Sequence, residues 1–270
     1  MSLSRKVLIT GATSGLGEYI AGRIGGENNL LILGRNADKM RTMFPSAQKY
    51  IADLSHLGQV SSSSELIARE HEKLDVIICN AAILGREKYT PNNEGIEETL
   101  AVNYLSHYIL LARLWSTVAY PTSKVIIIGS SAASWFRTDF SDPGSRKDYK
   151  PLKAYGRTKS MLMMLGQWIN SEFSGSGPEV YIIDPGTFRS GISRSRGGWF
   201  RRMYQMASWA MSPVEVAAKD ILAILEGKDY SPGRIIRRGM ERDLAYSNEE
   251  ISKLLQMSSL LTGFDITRNI

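Results

Sequence analysis

Three observations in this 270-residue chain predict an α/β fold: one doubly wound parallel sheet of about seven strands with helices on both faces. Short β-rich apolar runs alternate with helical patterns from end to end. Several of these runs lack polar alternation, as strands covered on both faces require. A glycine-rich turn joins the first run to the first helical pattern. Strand–helix alternation of this kind implies right-handed crossovers and an open parallel sheet.

Taken in order, residues 6–9 form the first strand and 15–24 the first amphipathic helix. Strands at 30–33 and 49–51 follow, then a helix at 62–73, a strand at 75–79 and a long helix at 96–120. Strand 124–128, helix 153–173, strand 180–183, helix 214–226 and strand 234–236 complete the series. The four serines 61–64 read as a helix entry. With no Gly/Pro/Ser-rich linker and no internal repeat, residues 1–270 form a single domain. Two segments interrupt the alternation: a polar loop at 135–151 and a Gly-, Arg- and aromatic-rich excursion at 187–212.

Hydrophobic content of 43% and charged content of 22% are ordinary for a soluble globular protein. The net charge of +6 is scattered, with local clusters only around 194–202 and 234–242. That argues for a solvated surface or an anionic-cofactor site and against a nucleic-acid partner. Cys79 is the only cysteine, so no intrachain disulfide forms, and its apolar run makes it a packed thiol. His56, His71 and His107 show no ligand spacing, and no metal is expected. The N-terminus carries no signal-peptide core, and no stretch approaches the roughly 20 apolar residues that span a bilayer. A cytoplasmic location is the expectation, without membrane contact.

Residues Thr10-Gly11-Ala12-Thr13-Ser14-Gly15-Leu16-Gly17 follow a strand and open a helix, the context a dinucleotide turn needs. Gly11 permits the tight turn, Gly15 lets backbone approach a pyrophosphate, and Gly17 allows close helix packing. The helix N-terminus then directs amide donors and a partial positive charge at phosphates, as in a Rossmann fold. After the second strand comes Leu33-Gly34-Arg35-Asn36. An acidic residue there would bind a ribose 2′-hydroxyl, whereas an arginine accommodates a 2′-phosphate. Arg35 therefore argues for NADP(H).

Tyr155 and Lys159 stand four apart, which on a helix puts them on one face. An ammonium beside a phenol favours the phenolate and lowers a pKa that is about 10 in water. Such a tyrosine gives or takes a proton, as carbonyl reduction by hydride requires.

With the glycine turn and the Tyr155/Lys159 pair, three further pieces make the chain resemble the short-chain dehydrogenase/reductase family along nearly its whole length. Ala52-Asp53-Leu54 looks like the family's acidic step at the adenine, implying cofactor contacts from Asp53 and Leu54. Asn80-Ala81-Ala82 resembles its Asn-Ala-Gly signature, with Ala82 in place of the usual glycine, and implies contacts from Asn80 and Ala81. Asp184-Pro185-Gly186 looks like the turn that lines the nicotinamide, and Ser190 stands where the family has threonine. By the same resemblance Thr13, Ser14 and Leu16 join the three turn glycines in holding the cofactor. Tyr155 and Lys159 also contact it, Lys159 through the nicotinamide ribose.

The resemblance implies a catalytic set of Asn103, Ser130, Tyr155 and Lys159. Ser130 would hydrogen-bond the carbonyl oxygen, Tyr155 would protonate it, and Asn103 would hold a water in a relay to Lys159. Ser130 and its neighbour Ser131 both fit the serine position, and the choice stays open by one residue. The tail at 250–264 is similar to that of the retinol-dehydrogenase-like branch. Many relatives pair through the helices carrying Asn103 and Tyr155, which implies a homodimer or homotetramer, although the 135–151 loop stands in the way.

The expectation is an NADP(H)-dependent oxidoreductase that reduces a small-molecule carbonyl, with a catalytically silent NADP(H) sensor as the alternative. Trp199, Phe200, Met203, Met206 and Trp209 make the 187–212 excursion a candidate substrate lid. Its apolar wall suits a bulky lipophilic or aromatic ketone or aldehyde, or else packs a helix onto the domain.

Overall fold

The computed structural model describes residues 5–26, 29–188 and 211–268. The apolar runs become β1 (Lys6–Thr10), β2 (Asn29–Gly34), β3 (Gln48–Ile51), β4 (Val76–Cys79), β5 (Lys124–Ile128), β6 (Glu179–Ile183), β7 (Ile235–Arg237) and β8 (Met240–Arg242). They form one sheet in the order β3-β2-β1-β4-β5-β6-β7-β8. Every neighbouring pair is parallel except β7–β8.

Successive strand side chains point to opposite faces, so a run buried on both sides must be apolar throughout. Val7, Ile9, Ile32 and Ile78 enter one core beneath α1 (Gly15–Ile24), Met40 of α2 (Ala37–Met43) and α7 (Val214–Leu225). Leu8, Leu31, Ile77 and Ile127 enter the other, beneath α3 (Leu57–Glu70), α5 (Ser106–Val118) and α6 (Pro151–Glu172).

Four features depart from the sequence reading. The sheet has eight strands rather than about seven, because β8 returns from β7 through Arg238 (φ +50°) and Gly239 (φ +77°). Two positive-φ residues make the tight hairpin turn that matches strand twist. Helix α2 was not expected; Asn36 caps it by accepting the Lys39 amide at 2.9 Å. Helix α3 begins before the four serines, and the buried Ser64 hydroxyl turns back onto the Val60 carbonyl at 2.7 Å. The expected helix 96–120 is α4 (Glu98–Leu100), a π-helical turn (Ala101–Leu105) and α5. Asn103 sits in that π turn, and such turns are frequent at functional sites.

Helix α8 (Asn248–Thr262) starts at a Ser247/Glu250 capping box and stops at Gly263 (φ +71°). It carries Ile251, Leu254 and Met257 into the α5/α6 core. The Tyr104 and Ser258 hydroxyls meet at 2.6 Å, and the Tyr108 hydroxyl donates to the Phe264 carbonyl at 3.0 Å. Around Tyr104 and Tyr108 the chain's own C-terminal helix therefore covers the helices through which the resemblance implied pairing.

The strand order reverses at β1, with β2 on one side and β4 on the other. Ligands of such sheets bind in the crevice beyond the carboxyl ends of the two diverging strands. One wall of that crevice depends on Gly156 of α6. A Cβ there would lie 2.5 Å from the Ala132 carbonyl oxygen, which belongs to the turn after β5. Gly156→Ala should destabilise the protein by about 1–3 kcal/mol despite alanine's better helix propensity, measured by urea unfolding.

Candidate active site

A cavity of about 900 Å³ occupies the crevice. Its wall takes Gly11, Thr13, Ser14, Gly15 and Leu16 from the glycine turn, then Arg35, Asp53, Leu54, Asn80 and Ala81 from the next strand exits. Ser130, Tyr155, Lys159, Pro185 and Gly186 complete the predicted residues on it. Gly17 and Asn103 are not part of the lining. Ser190 and residues 189–210 of the expected lid lie outside the described residues.

The turn has the close contacts that demand glycine. Gly11 (φ +71°) and Gly15 (φ +57°) adopt left-handed backbone. A Cβ on Gly17 would lie 2.4 Å from both the Gly11 oxygen and Asn80 Nδ2. Asn80 Nδ2 donates to the Thr10 carbonyl at 2.8 Å, tying the β4 exit to the β1 exit. Ser14, at the N-cap of α1, makes no side-chain cap, which leaves the first-turn amides to a ligand in the cavity.

Behind this turn lies a chain of buried bonds that the sequence did not disclose. The Thr10 hydroxyl accepts the amides of Asn80 and Ala81, each at 3.0 Å, and lies 3.0 Å from His107 Nε2. His107 Nδ1 faces the Asn103 carbonyl at 3.2 Å and must donate to it. Burial, reinforced by Lys159, pushes the His107 pKa down to about 3, so the ring is neutral. The Asn103 side chain is committed elsewhere: its Oδ1 accepts the Ile83 amide at 2.7 Å, and its Nδ2 donates to the Ile83 carbonyl at 2.9 Å. Any relay through Asn103 must therefore use its main-chain carbonyl. The one sequence signal for His107 was its i+4 spacing from Asn103.

At the cavity floor the expected effect of Lys159 on Tyr155 is corrected. Burial pushes the Tyr155 phenol up to about 12; the Ser130 hydroxyl opposes this and Asp184 adds to it. The Lys159 ammonium lies 5.9 Å from the phenol ring centroid and donates to the Ile128 carbonyl at 2.7 Å. Burial also draws Lys159 itself down to about 8. Burial is the largest influence on both groups. Between the two serines, Ser130 is the one beside Tyr155, in extended backbone after β5, whereas Ser131 opens the following 3₁₀ turn.

At the far end Arg35 reaches Asp53 at 3.4 Å with its side chain 71% exposed. Burial raises the Asp53 carboxyl, but hydrogen bonds from Ser55 and the Arg35 charge outweigh it and hold the group below its ordinary range. Arg237 belongs to the basic cluster noted in the sequence, yet it is paired: it donates to Asp184 Oδ2 at 3.3 Å. Asp184 Oδ1 accepts the Gly186 amide at 2.9 Å, so the pair braces the Pro185–Gly186 turn. Arg234 is likewise paired, with Glu241 and Asp243. Among the described residues no group of three His, Cys, Asp or Glu side chains is placed to hold a metal.

The family model described as short chain dehydrogenase matches residues 5–199. The chain belongs to the short-chain dehydrogenase family. Its members are nicotinamide-dependent oxidoreductases, so the predicted oxidoreductase class holds, and the retinol dehydrogenases it resembles bear out the expected branch. Retinol dehydrogenase 14 of Mus musculus is 25% identical over 96% of this chain and 86% of its own length. Retinol dehydrogenase 13 of Mus musculus is 27% identical over 72% of this chain, and only 61% of that protein is matched. Among solved structures, a short-chain dehydrogenase from Sphingobium yanoikuyae in complex with NADPH superposes with a TM-score of 0.65 at 22% identity, covering 86% of this chain and 87% of that one.

The buried histidine yields a pH prediction. Its pKa is about 6.5 unfolded and about 3 folded, so the unfolded chain binds the extra proton between those values. Stability is therefore intact above pH 6.5 and is lost on acidification, by up to about 1.4 kcal/mol per pH unit from this group. Wild type should lose stability relative to His107→Gln as pH falls from 6.5 toward 4 in urea titrations; parallel curves would contradict the assignment.

Proposed function

We propose that the protein is an NADP(H)-dependent reductase of a bulky lipophilic or aromatic ketone or aldehyde, with Tyr155 as general acid. The observation that carries this is the meeting of the Tyr155 phenol and the Ser130 hydroxyl on the wall of a cavity that also contains the glycine turn. The residues present fit a dinucleotide: the left-handed Gly11 and Gly15, the side-chain-free cap of α1 and the Asn80 brace leave room and donors for a pyrophosphate. Arg35 at the β2 exit supports the 2′-phosphate form, because its guanidinium is exposed and Asn36 beside it is occupied in capping α2. NADPH in the Sphingobium relative supports the same choice.

The nicotinamide, when bound, supplies a hydride to the carbonyl carbon. Ser130 donates a hydrogen bond to the carbonyl oxygen, where negative charge develops. Tyr155 protonates that oxygen, and Lys159, ordered on the Ile128 carbonyl, holds positive charge one helical turn away. A phenol near 12 is fully protonated at neutral pH, which suits an acid and therefore the reducing direction. Trp135 (59% exposed) and Leu152 (43% exposed) line the mouth and favour an apolar carbonyl compound. The α8 cover over α5 and α6 supports a monomer. No helix among the described residues is long and apolar enough to cross a membrane.

Tyr155→Phe should lower kcat for carbonyl reduction by about 10²–10⁴-fold while NADPH binding, followed by fluorescence, stays within about twofold. Loss of one charged contact in Arg35→Ala should raise the KM for NADPH about ten- to hundredfold and leave that for NADH nearly unchanged. The profile of kcat/KM for reduction should be flat at neutral pH and fall above about 8, as the free enzyme loses the Lys159 proton. Wild-type turnover in Tyr155→Phe would end the general-acid assignment. Tight NADPH binding without turnover of any carbonyl would favour a cofactor sensor.

A further inference from the structure

Residues 136–150 join Trp135 to Leu152, both of which line the cavity, although the segment between them is not itself part of the lining. Apart from one 3₁₀ turn (Arg146–Asp148) the segment has no regular structure. Loops of this length without secondary structure usually sample several conformations. Here two buried charged groups fasten it, and the proposed chemistry uses neither.

The first is Arg157, two residues beyond Tyr155 on α6 and 7% exposed. Its Nε donates to the Arg137 carbonyl at 2.9 Å and its Nη1 to the Ser145 hydroxyl at 2.8 Å. These bonds grip the loop near its start and its middle. Ser145 is fully buried with φ +57°, backbone that only surrounding structure sustains in a residue other than glycine. The second is Glu97, 2% exposed, which accepts the Tyr149 hydroxyl at 3.2 Å near the loop's end. A Cβ on Gly144 would lie 3.0 Å from Glu97 Cβ, so the loop also packs on the stem of this side chain. Burying an ionic group is costly, and it is retained where it fixes a conformation.

We propose that Arg157, assisted by Glu97, is a positioning and specificity-determining residue. It locks the 136–150 segment, which holds the flanking Trp135 and Leu152 in place on the cavity wall, and thereby selects carbonyl substrates by shape. Trp135 then presents a fixed aromatic surface, and the class favoured is a flat, bulky aromatic carbonyl compound over a short aliphatic aldehyde. The substrate part rests on the reductase reading above; the clamp does not.

The experiment compares wild type with Arg157→Met, Arg157→Lys and Glu97→Gln in two assays. Trypsin cleavage at Arg137 and Arg146 is followed by mass spectrometry, and kcat/KM is measured for an aromatic ketone and for a short aliphatic aldehyde with NADPH. Arg157→Met should be cut at these sites about tenfold faster or more, since proteolysis tracks the population of the open segment. Its preference for the aromatic ketone should fall about tenfold, with NADPH affinity unchanged. Arg157→Lys, able to reach one acceptor but not both in the same geometry, should lie between. A folded Arg157→Met with wild-type cleavage and wild-type preference would overturn the proposal. If Arg157→Met does not fold, the same readouts on Arg157→Lys and Glu97→Gln decide it. If wild type reduces neither compound, the reductase reading has failed, and the trypsin assay still decides the clamp.

Discussion

The hydroxyl of Thr10 is the constraint on which the arrangement of the crevice depends. A hydroxyl has one proton and two lone pairs. His107 gives its Nδ1 proton to the Asn103 carbonyl, so its Nε2 accepts, and the Thr10 proton goes there. The two lone pairs take the amides of Asn80 and Ala81. Every valence is then satisfied at a fully buried atom, and three separate segments are locked to one another at the point where strand order reverses. Valine in this place would fill the space and leave the Ala81 amide and the His107 ring nitrogen without their Thr10 partner, each costing about 1–3 kcal/mol. The Asn80 amide would keep only the Ile78 carbonyl at 3.1 Å.

Electrostatics in the crevice follow from the same closeness. Lys159 and His107 are buried and Tyr155 is half-buried at the cavity, and for each of them burial is the largest influence on the pKa. It keeps the phenol protonated, the imidazole neutral and the ammonium near its titration point. The lowering of the Tyr155 phenol by Lys159 that helical spacing suggested is not what governs it; loss of hydration raises it instead. The remote ends are solvated differently: Arg35 meets Asp53 at 3.4 Å but is 71% exposed and open to an anion, whereas Arg237, on a nearly buried Asp184, is tied behind the Pro185–Gly186 turn.

The sequence disclosed what is local. Strands buried on both faces are continuous apolar words, and the glycine turn and the Tyr155/Lys159 spacing are read within a single helix or turn. What it hid was either short or distant in the chain. The β7–β8 hairpin turns on Arg238-Gly239, an uncommon pair for such a turn, and α2 is seven residues long. The pairing of Arg157 with Ser145, of Asp184 with Arg237 and of Thr10 with His107 joins side chains that no periodicity relates. Ser130 was separated from Ser131 only by the backbone, extended at the first and entering a 3₁₀ turn at the second. Residues 189–210, which carry the expected apolar lid, bear on none of these conclusions.

The most direct test of the account is a crystal structure of the protein with NADPH bound. The account predicts the pyrophosphate on the first-turn amides of α1, the 2′-phosphate on Arg35, and the nicotinamide C4 facing the shared space of Ser130 and Tyr155. A cofactor seated elsewhere, or one whose nicotinamide leaves C4 turned away from Tyr155, would contradict it.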